Sequence, residues 1–369
     1  MKLTGTREEF LAPLQSVIGV VERRQTMPVL ANVLLSARDN RLSITGTDLE
    51  VELVAASAAN GGVSVQQAGD ITVPGRKLLD IFRSLPESAN VTLSTEGERV
   101  SIRAGKSRFT LSTLPAAEFP IVDEINAQQT LTFAQGEFRR LIDKTHFSMA
   151  QQDVRYYLNG LLLETEGKAL RAVATDGHRL ALCEMEIESK AKTNQQVIVP
   201  RKGVLELQRI LGTAGTIELA IGTNHVRAQI GDIRFTSKLI DGRFPEYGRV
   251  IPANPTKKVE ADRETLRQAL QRTAILSNEK YRGIRLTVKT DTLTLQAHNP
   301  EQEEAEDQVE VVYKGDEVEI GFNVNYLLDA LSAIDGDKVE IGLTDSNSSC
   351  LIHAPGAVHT RYVVMPMRL

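Results

Sequence analysis

The chain has 369 residues, more than one ordinary hydrophobic core organises, so its length predicts two or three domains. A hydrophobic fraction of 41% and a charged fraction of 25% are typical of globular proteins, and no apolar run approaches the ~20 residues of a membrane span. The net charge of −5 argues against a uniformly basic surface. Because the N-terminus lacks an apolar signal segment, we expect a cytoplasmic protein with no membrane partner.

The cysteines and histidines predict neither a metal site nor a cofactor. Cys183 and Cys350 are far apart in apolar surroundings, which favours buried free thiols over a disulfide. The six histidines are never spaced by three or four residues, and no CxxC motif is present.

Six segments along the chain have the spacing of amphipathic helices: 7–24, 75–85, 136–148, 201–212, 262–277 and 325–335. The first buries a stripe formed by Phe10, Leu14, Val17, Ile18 and Val21. Between the helices, residues alternate between apolar and polar and are interrupted by Gly, Asn or Asp. This pattern predicts antiparallel strands joined by hairpins.

The same order of elements occurs three times. The strand-and-helix block recurs as ITVPGRKLLDI (71–81), VIVPRKGVLEL (197–207) and IGFNVNYLLDA (320–330). A block of strands upstream recurs at 32–55, 159–182 and 283–306. The sequence therefore predicts an α+β protein with three domains of similar fold, at 1–125, 126–255 and 256–369.

The stretch VATDGHRLAL (173–182) raises the possibility of a hydrolase, because Asp176 could orient His178 as a catalytic base. The first repeat has GTDLEVELV at the same place, so Thr-Asp recurs whereas the histidine does not. No Ser or Cys nucleophile accompanies the pair. We therefore favour a structural turn fixed by Asp176 and keep the hydrolase as the alternative.

Two other short motifs also favour structural interpretations. AGKS (104–107) lacks the first glycine of a phosphate-binding loop and lies between two alternating strands, which predicts a hairpin turn. The acidic run at 300–307 lacks the spacing of a calcium loop. It is typical of a solvated or partner-facing edge.

Positive charge is concentrated in the six helical segments. They hold 15 Lys or Arg and 11 Asp or Glu, whereas the rest of the chain holds 28 basic and 37 acidic residues. If the helices share one side of the molecule, that side attracts a polyanion. Without an aromatic platform or recognition motif, we expect contacts to phosphates that ignore base sequence and weaken with salt.

Longer motifs carry a resemblance over the full length. The stretches SRFTLSTLPAAEFP (107–120), QDVRYYLNGLLLETEG (152–167), AILSNEKYRGIRL (274–286) and VVMPMRL (363–369) resemble the bacterial DNA polymerase III β subunit family. The resemblance implies three clamp domains, with helices on an inner face and antiparallel sheets outside, and a head-to-tail homodimeric ring. It implies a processivity factor without a catalytic site.

The resemblance also implies partners and a location. Double-stranded DNA would be encircled without sequence preference. A clamp loader complex, the polymerase III catalytic subunit and other clamp-binding-motif proteins would bind the clamp. The protein would act in the cytoplasm, at replication forks on the nucleoid.

Site residues follow from the resemblance position by position. DNA contacts map to Arg24, Gln152, Tyr156 and Tyr157, and the basic helices add Arg76, Lys77, Arg201 and Lys202. The dimer interface maps to Phe109, Leu111, Ile275 and Leu276, with Arg103 and Arg108 facing Glu301, Glu303, Glu304 and Glu306. A pocket for partner peptides maps to Arg155, Leu158, Thr175, Gly177, His178, Arg179, Leu180, Pro245, Arg249, Val250, Asn323, Tyr326, Ser349, Val363, Met365, Pro366, Met367 and Arg368. Gly248 replaces the basic residue that relatives often have at the rim.

Overall fold

The computed structural model describes residues 1–22, 27–57, 62–122, 124–187 and 194–368. Each predicted helical segment contains an α-helix: α1 Arg7–Val17, α2 Gly75–Ser84, α3 Gln135–Asp143, α4 Arg201–Ile210, α5 Arg263–Thr273 and α6 Val324–Ala333. Helix α1 begins with a capping box in which the Thr6 N–H donates to Glu9 Oε2 at 2.7 Å. Helix α5 begins at Asp262, whose carboxylate accepts the Thr265 N–H. The presence of all six helices is confirmed, although α1, α3 and α5 end before the predicted segments do.

The chain divides into two compact units. The first contains Met1–Glu137 and Lys202–Leu239, and the second contains Phe138–Arg201 and Ile240–Leu369. Within the first unit, α1 packs on α2, and the rings of Phe10 and Phe82 stack with centroids 5.2 Å apart. Within the second unit, α5 packs on α6 and both bury leucines in one large apolar core.

Two antiparallel sheets form the strand structure of the first unit. One has five strands in the spatial order β5 Ser64–Gln67, β1 Lys2–Thr6, β7 Asn90–Glu96, β8 Arg99–Ala104 and β9 Ser107–Ser112. The other has eight strands in the order β10 Ala127–Ala134, β15 Thr216–Gly222, β16 His225–Ile230, β17 Ile233–Lys238, β4 Val51–Ala56, β3 Arg41–Thr47, β2 Asn32–Arg38 and β6 Gly69–Pro74.

The second unit has the same plan. Its eight-stranded sheet has the order β14 Gln195–Pro200, β11 Gly160–Glu166, β12 Ala169–Thr175, β13 Arg179–Glu186, β25 Thr360–Val364, β24 Cys350–His353, β23 Lys338–Leu343 and β18 Lys257–Asp262. Its four-stranded sheet has the order β21 Glu304–Glu310, β20 Thr292–His298, β19 Gly283–Lys289 and β22 Val318–Asn323.

Each eight-stranded sheet joins strands from two successive repeats. The first junction is the antiparallel pair β4–β17, in which Glu52 lies opposite Thr236. The second junction is the pair β13–β25, in which Leu180 lies opposite Val363. Both pairs join the third strand of one repeat's first block to the last strand of the next repeat. The two compact units therefore do not follow the predicted domain boundaries, because each unit takes strands from two repeats.

Several local predictions are also confirmed. AGKS forms the β8–β9 hairpin, with Gly105 at φ 58°, and both cysteines are buried free thiols. Among the described residues, no helix is long and apolar enough to cross a membrane. Within the same ranges, no three His, Cys, Asp or Glu side chains cluster in a way that could hold a metal ion.

Candidate functional site

The turn between β12 and β13 is fixed by hydrogen bonds from its own residues. Asp176 Oδ1 accepts the backbone N–H groups of His178 and Arg179, at 2.9 and 3.0 Å, and the Thr175 hydroxyl donates to the Arg179 carbonyl at 2.6 Å. Gly177 has φ 89°, and a Cβ there would lie 2.8 Å from the Arg155 guanidinium. The positive φ at Gly177 favours glycine, and the Arg155 side chain lies close against its Cα.

The same turn occurs in the first repeat. Asp48 Oδ1 accepts the N–H groups of Glu50 and Val51, and the Thr47 hydroxyl donates to the Val51 carbonyl. Because Asp176 Oδ1 binds two backbone N–H groups and Oδ2 accepts Arg179 Nε, its carboxylate shapes the turn. The predicted structural role is confirmed, and the hydrolase alternative has no support.

Arg179 is the most heavily bonded residue of the predicted peptide pocket. Its Nη2 donates to the Phe147 carbonyl at 2.7 Å, and its Nη1 pairs with Asp329. Its guanidinium carbon lies 4.5 Å from the centre of the Tyr326 ring, within cation–π range. Arg179 thus ties the β12–β13 turn to helix α6 and makes this part of the pocket rigid.

An apolar cluster lies beside the turn on the eight-stranded sheet of the second unit. It contains the buried side chains of Leu162, Val173, Leu180, Leu182, Ile198, Phe244, Leu351 and Val363, with Tyr157, Ile240, Tyr247, Val250 and Ile251 packed against it. Leu158, Leu180 and Val363 are covered, whereas Pro245, Arg249 and Met365 are exposed. Of the predicted pocket residues, Leu180 and Val363 therefore lie together in this buried cluster, and Val250 packs against it.

The C-terminal tail is hydrogen-bonded to the β12–β13 turn and to strand β22. The N–H groups of Met365 and Met367 donate to the carbonyls of His178 and Gly321, each at 2.9 Å. Met367 and Arg368 line a cavity of about 320 Å³ together with Asn278, Tyr281, Gly283 and His298. Nearby, Asn323 caps helix α6 by accepting the Asn325 N–H, and Ser349 is half-buried.

A larger cavity, of about 640 Å³, shares only Pro245 with the predicted pocket. Arg171, Leu182, Tyr247 and Arg361 line it, and sequence reasoning missed all four. Burial and the bond to Glu164 raise the pKa of Tyr247 to about 12, so this phenol remains a hydrogen-bond donor near neutral pH. The one available signal was Arg361, a charged residue within the apolar strand TRYVV.

The residues predicted for a dimer interface lie on two sheet edges. Phe109 and Leu111 are half-buried on β9, the edge strand of the five-stranded sheet. Ile275 is 75% exposed, and Leu276 is half-buried, in the short turn that follows α5 and contacts β21. Glu301, Glu303, Glu304 and Glu306 are exposed on or beside β21, and Arg103 and Arg108 already lie near Glu96 at 3.9 and 3.1 Å.

The residues predicted to contact DNA differ in whether their side chains are exposed or bonded to other residues of the chain. Lys77, Gln152 and Tyr156 are exposed, and Tyr156 packs edge-on against Tyr157. The remaining described cations have internal contacts: Arg76 with the Val21 carbonyl, Arg201 with the Met149 carbonyl, and Lys202 with Glu22 and Asp48. Arg24 lies outside the described residues.

Known proteins match the chain from end to end. Sequence models of the DNA polymerase III beta subunit match its N-terminal domain at 1–123, its central domain at 132–246 and its C-terminal domain at 248–368. Proteins named beta sliding clamp from Pseudomonas aeruginosa and Escherichia coli K12 are 55% and 54% identical, and each match covers 100% of both chains. The relatives are named as clamps and not as enzymes, in line with the expected absence of a catalytic site.

Solved structures agree with the sequence matches. The crystal structure of the Pseudomonas aeruginosa DNA polymerase III subunit beta has a TM-score of 0.97 at 54% identity, and the Caulobacter crescentus protein has 0.95 at 42%, both over 100% of each chain. These matches confirm the predicted fold of three clamp domains. The chain belongs to the family of DNA polymerase III beta subunits, the beta sliding clamps.

Proposed function

We propose that the chain acts as a sliding clamp, a homodimeric ring that encircles duplex DNA and tethers the replicative polymerase and other replication or repair proteins. The observation that best supports a ring is the strand pairing that joins successive repeats, which occurs twice in the same form. Two junctions are made inside the chain, by β4–β17 and β13–β25. The remaining counterparts are β9 and β21, and each is an unpaired sheet edge in the described chain.

The order of strands makes β9 and β21 natural partners. β17 and β25 are the last strands of their repeats, and β9 has this place in the first repeat. β4 and β13 are the third strands of their blocks, and β21 has this place in the third repeat. Because β9 and β21 belong to opposite ends of one chain, two head-to-tail copies would form two such junctions and close a ring. Exposed sheet edges are also the surfaces most prepared to pair with another chain.

Charge and apolar residues support the same interface. Ile275, Leu276, Phe109 and Leu111 would form its apolar part, and the exposed glutamates near β21 would face Arg103 and Arg108. The DNA-facing residues would be Arg24, Arg76, Lys77, Gln152, Tyr156, Tyr157, Arg201 and Lys202. Contacts of this kind hold a duplex loosely and without base specificity.

Partner proteins would bind beside the turn between β12 and β13. An apolar floor with exposed proline and methionine and with arginine and histidine at the rim suits a short peptide with apolar anchors. We assign this function to the pocket residues named above and to the second and third of the three domains, 126–255 and 256–369. The clamp loader and the polymerase catalytic subunit are the expected partners, in the cytoplasm at replication forks.

The experiment that tests the ring measures retention on nicked circular DNA. The protein is loaded with a clamp loader and ATP, in salt high enough to suppress simple phosphate binding, and the circle is then cut. A ring is expected to remain on the circle and to leave after cutting. Retention on the linear product would contradict encirclement, because a ring that slides can leave over free ends.

A further inference from the structure

The 640 Å³ cavity continues the proposed peptide pocket along the sheet. Residues 243–248 and 251–253 line one side of it, and strands β11, β12, β13, β14, β24 and β25 supply the rest of the lining. Leu182, Phe244 and Leu351 line the cavity and belong to the apolar cluster that also contains Leu180 and Val363. A peptide anchored on Leu180 and Val363 therefore has this cavity within reach of its next residues.

All but one of the charged side chains that line the cavity are paired. Arg171 contacts Glu166 at 2.5 Å and Glu164 at 3.6 Å, and it also pairs with Glu184. Glu164 further accepts hydrogen bonds from Tyr247 and Gln196. The remaining carboxylate of the lining, Glu246, contacts Arg249 at 2.8 Å and Arg243 at 3.5 Å.

Arg361 is the exception within the described residues. It has no ion pair and no hydrogen bond from its side chain, and its Nε is buried without a partner. Its position on β25 faces Leu182, so the guanidinium extends from the same sheet face as the apolar cluster. Because the other charged groups of the lining are paired, Arg361 contributes the one guanidinium there without a counter-charge among the described residues.

The first junction has an arginine at the equivalent position, with a carboxylate near it. Arg234 occupies the position on β17 that Arg361 occupies on β25, opposite Val54 and Leu182 respectively. At the first junction the neighbouring position is Glu52, whose Oε1 lies 3.8 Å from Arg234 Nη2. At the second junction the corresponding residue is Leu180. The chain thus retains the arginine but lacks its own carboxylate there.

We propose that Arg361 binds a carboxylate supplied by the partner peptide, from an aspartate or glutamate next to the apolar anchors. This inference rests on the proposed function of the pocket. The apolar floor accepts the anchors, and the unpaired guanidinium selects for an acidic neighbour through a charge-assisted hydrogen bond. An amide at the same peptide position would leave the guanidinium without its counter-charge.

The test compares matched peptides by fluorescence anisotropy. Each labelled peptide has two apolar anchors and one aspartate, placed in turn at every position within or beside the anchors, and each has an asparagine counterpart. For at least one position we expect the aspartate peptide to bind the wild-type dimer about tenfold more tightly than its counterpart. Arg361→Gln should remove that difference and leave the affinity for the asparagine peptide unchanged.

Two control variants test whether the preference for aspartate comes from Arg361. Arg243→Gln removes a cavity arginine that is already paired with Glu246, and it should retain most of the preference for aspartate. Arg361→Lys retains the charge and should retain part of the preference. A preference that survives Arg361→Gln, or equal affinity for all matched pairs, would overturn the inference. If neither peptide of any pair binds the wild-type protein, the proposed peptide pocket itself is wrong.

Discussion

Glu52 is a carboxylate inside a sheet where the second junction has a leucine. Its side chain is 1% exposed, Oε2 accepts the Val122 N–H at 2.7 Å, and Oε1 has no hydrogen-bond partner. Burial raises the pKa of Glu52 above its usual value of 4.5, although Val122, Arg234 and Arg227 act in the opposite direction. Together with Thr45 and Thr236, it gives the first junction a polar floor that does not suit apolar peptide anchors.

The raised pKa of Glu52 predicts that Glu52→Gln increases thermal stability by an amount that depends on pH. The stability linked to this group is fully present below pH 4.5 and is lost as pH rises through the higher pKa of the folded state. Glutamine cannot ionise, so the Tm of the variant relative to wild type should increase between pH 4 and pH 8. Differential scanning calorimetry would measure the change in Tm, roughly 1 °C for each kcal/mol in a chain of this length.

The exposed Glu218, on β15 of the same sheet, is the matched control for that experiment. Glu218→Gln should not produce a Tm difference that grows with pH. If Glu52→Gln behaves like Glu218→Gln, the carboxylate of Glu52 does not have the raised pKa that its burial implies.

Asp176 has a structural role in the turn, whereas His178 has the binding role proposed above. Asp176→Ala removes the acceptor of two backbone N–H groups and one contact of Arg179, so we expect a loss of about 1–3 kcal/mol in the free energy of unfolding. His178→Ala leaves those bonds in place and should weaken peptide binding only. Urea denaturation and peptide anisotropy of both variants would test this, and equal destabilisation by His178→Ala would contradict it.

At the scale of elements, the sequence predicted local structure better than strand partners. Helices α1 to α6 and the hairpins follow from apolar periodicity and turn residues, which act over a few positions. The pairs β4–β17 and β13–β25 join segments more than 170 residues apart, and alternation does not identify a partner.

Sequence patterns likewise could not predict which distant segments meet around the pocket. Its residues could be assigned by family resemblance, and the structure places Leu180 and Val363 in one cluster, with Val250 packed against it. The cavity beside it could not be predicted, because Arg171, Tyr247 and Arg361 come from distant segments. The missing partner of Arg361 is visible only when two junctions are compared in three dimensions.

The turn after α5 should determine whether the proposed interface forms. Ile275→Arg combined with Leu276→Arg places two charges where apolar contact is expected, so the variant should sediment as a monomer of 40.6 kDa. Phe109→Arg on β9 should have the same effect from the other side. Val358→Arg changes a comparably exposed apolar residue, at 64%, and should remain dimeric. A dimer in both interface variants would show that another surface joins the copies.

The two junctions inside the chain and the proposed third junction between copies differ in what holds them together. β4–β17 and β13–β25 are held within one chain by continuous eight-stranded sheets, whereas β9–β21 would join separate chains. Dilution should therefore separate the copies without unfolding either, because only the third junction depends on concentration. Sedimentation and far-UV circular dichroism over the same dilution series would test this. Loss of secondary structure together with dissociation would mean that the single chain is not stable.

The two buried thiols have a practical consequence for experiments on the proposed ring. Burial raises the pKa of Cys183, and it raises the pKa of Cys350 to about 12, so both are poor targets for thiol reagents at neutral pH. One cysteine introduced on β9 and one on β21 would then be the reactive thiols, without replacement of either native cysteine. A dye pair placed in this way would report the separation of the two sheet edges in real time.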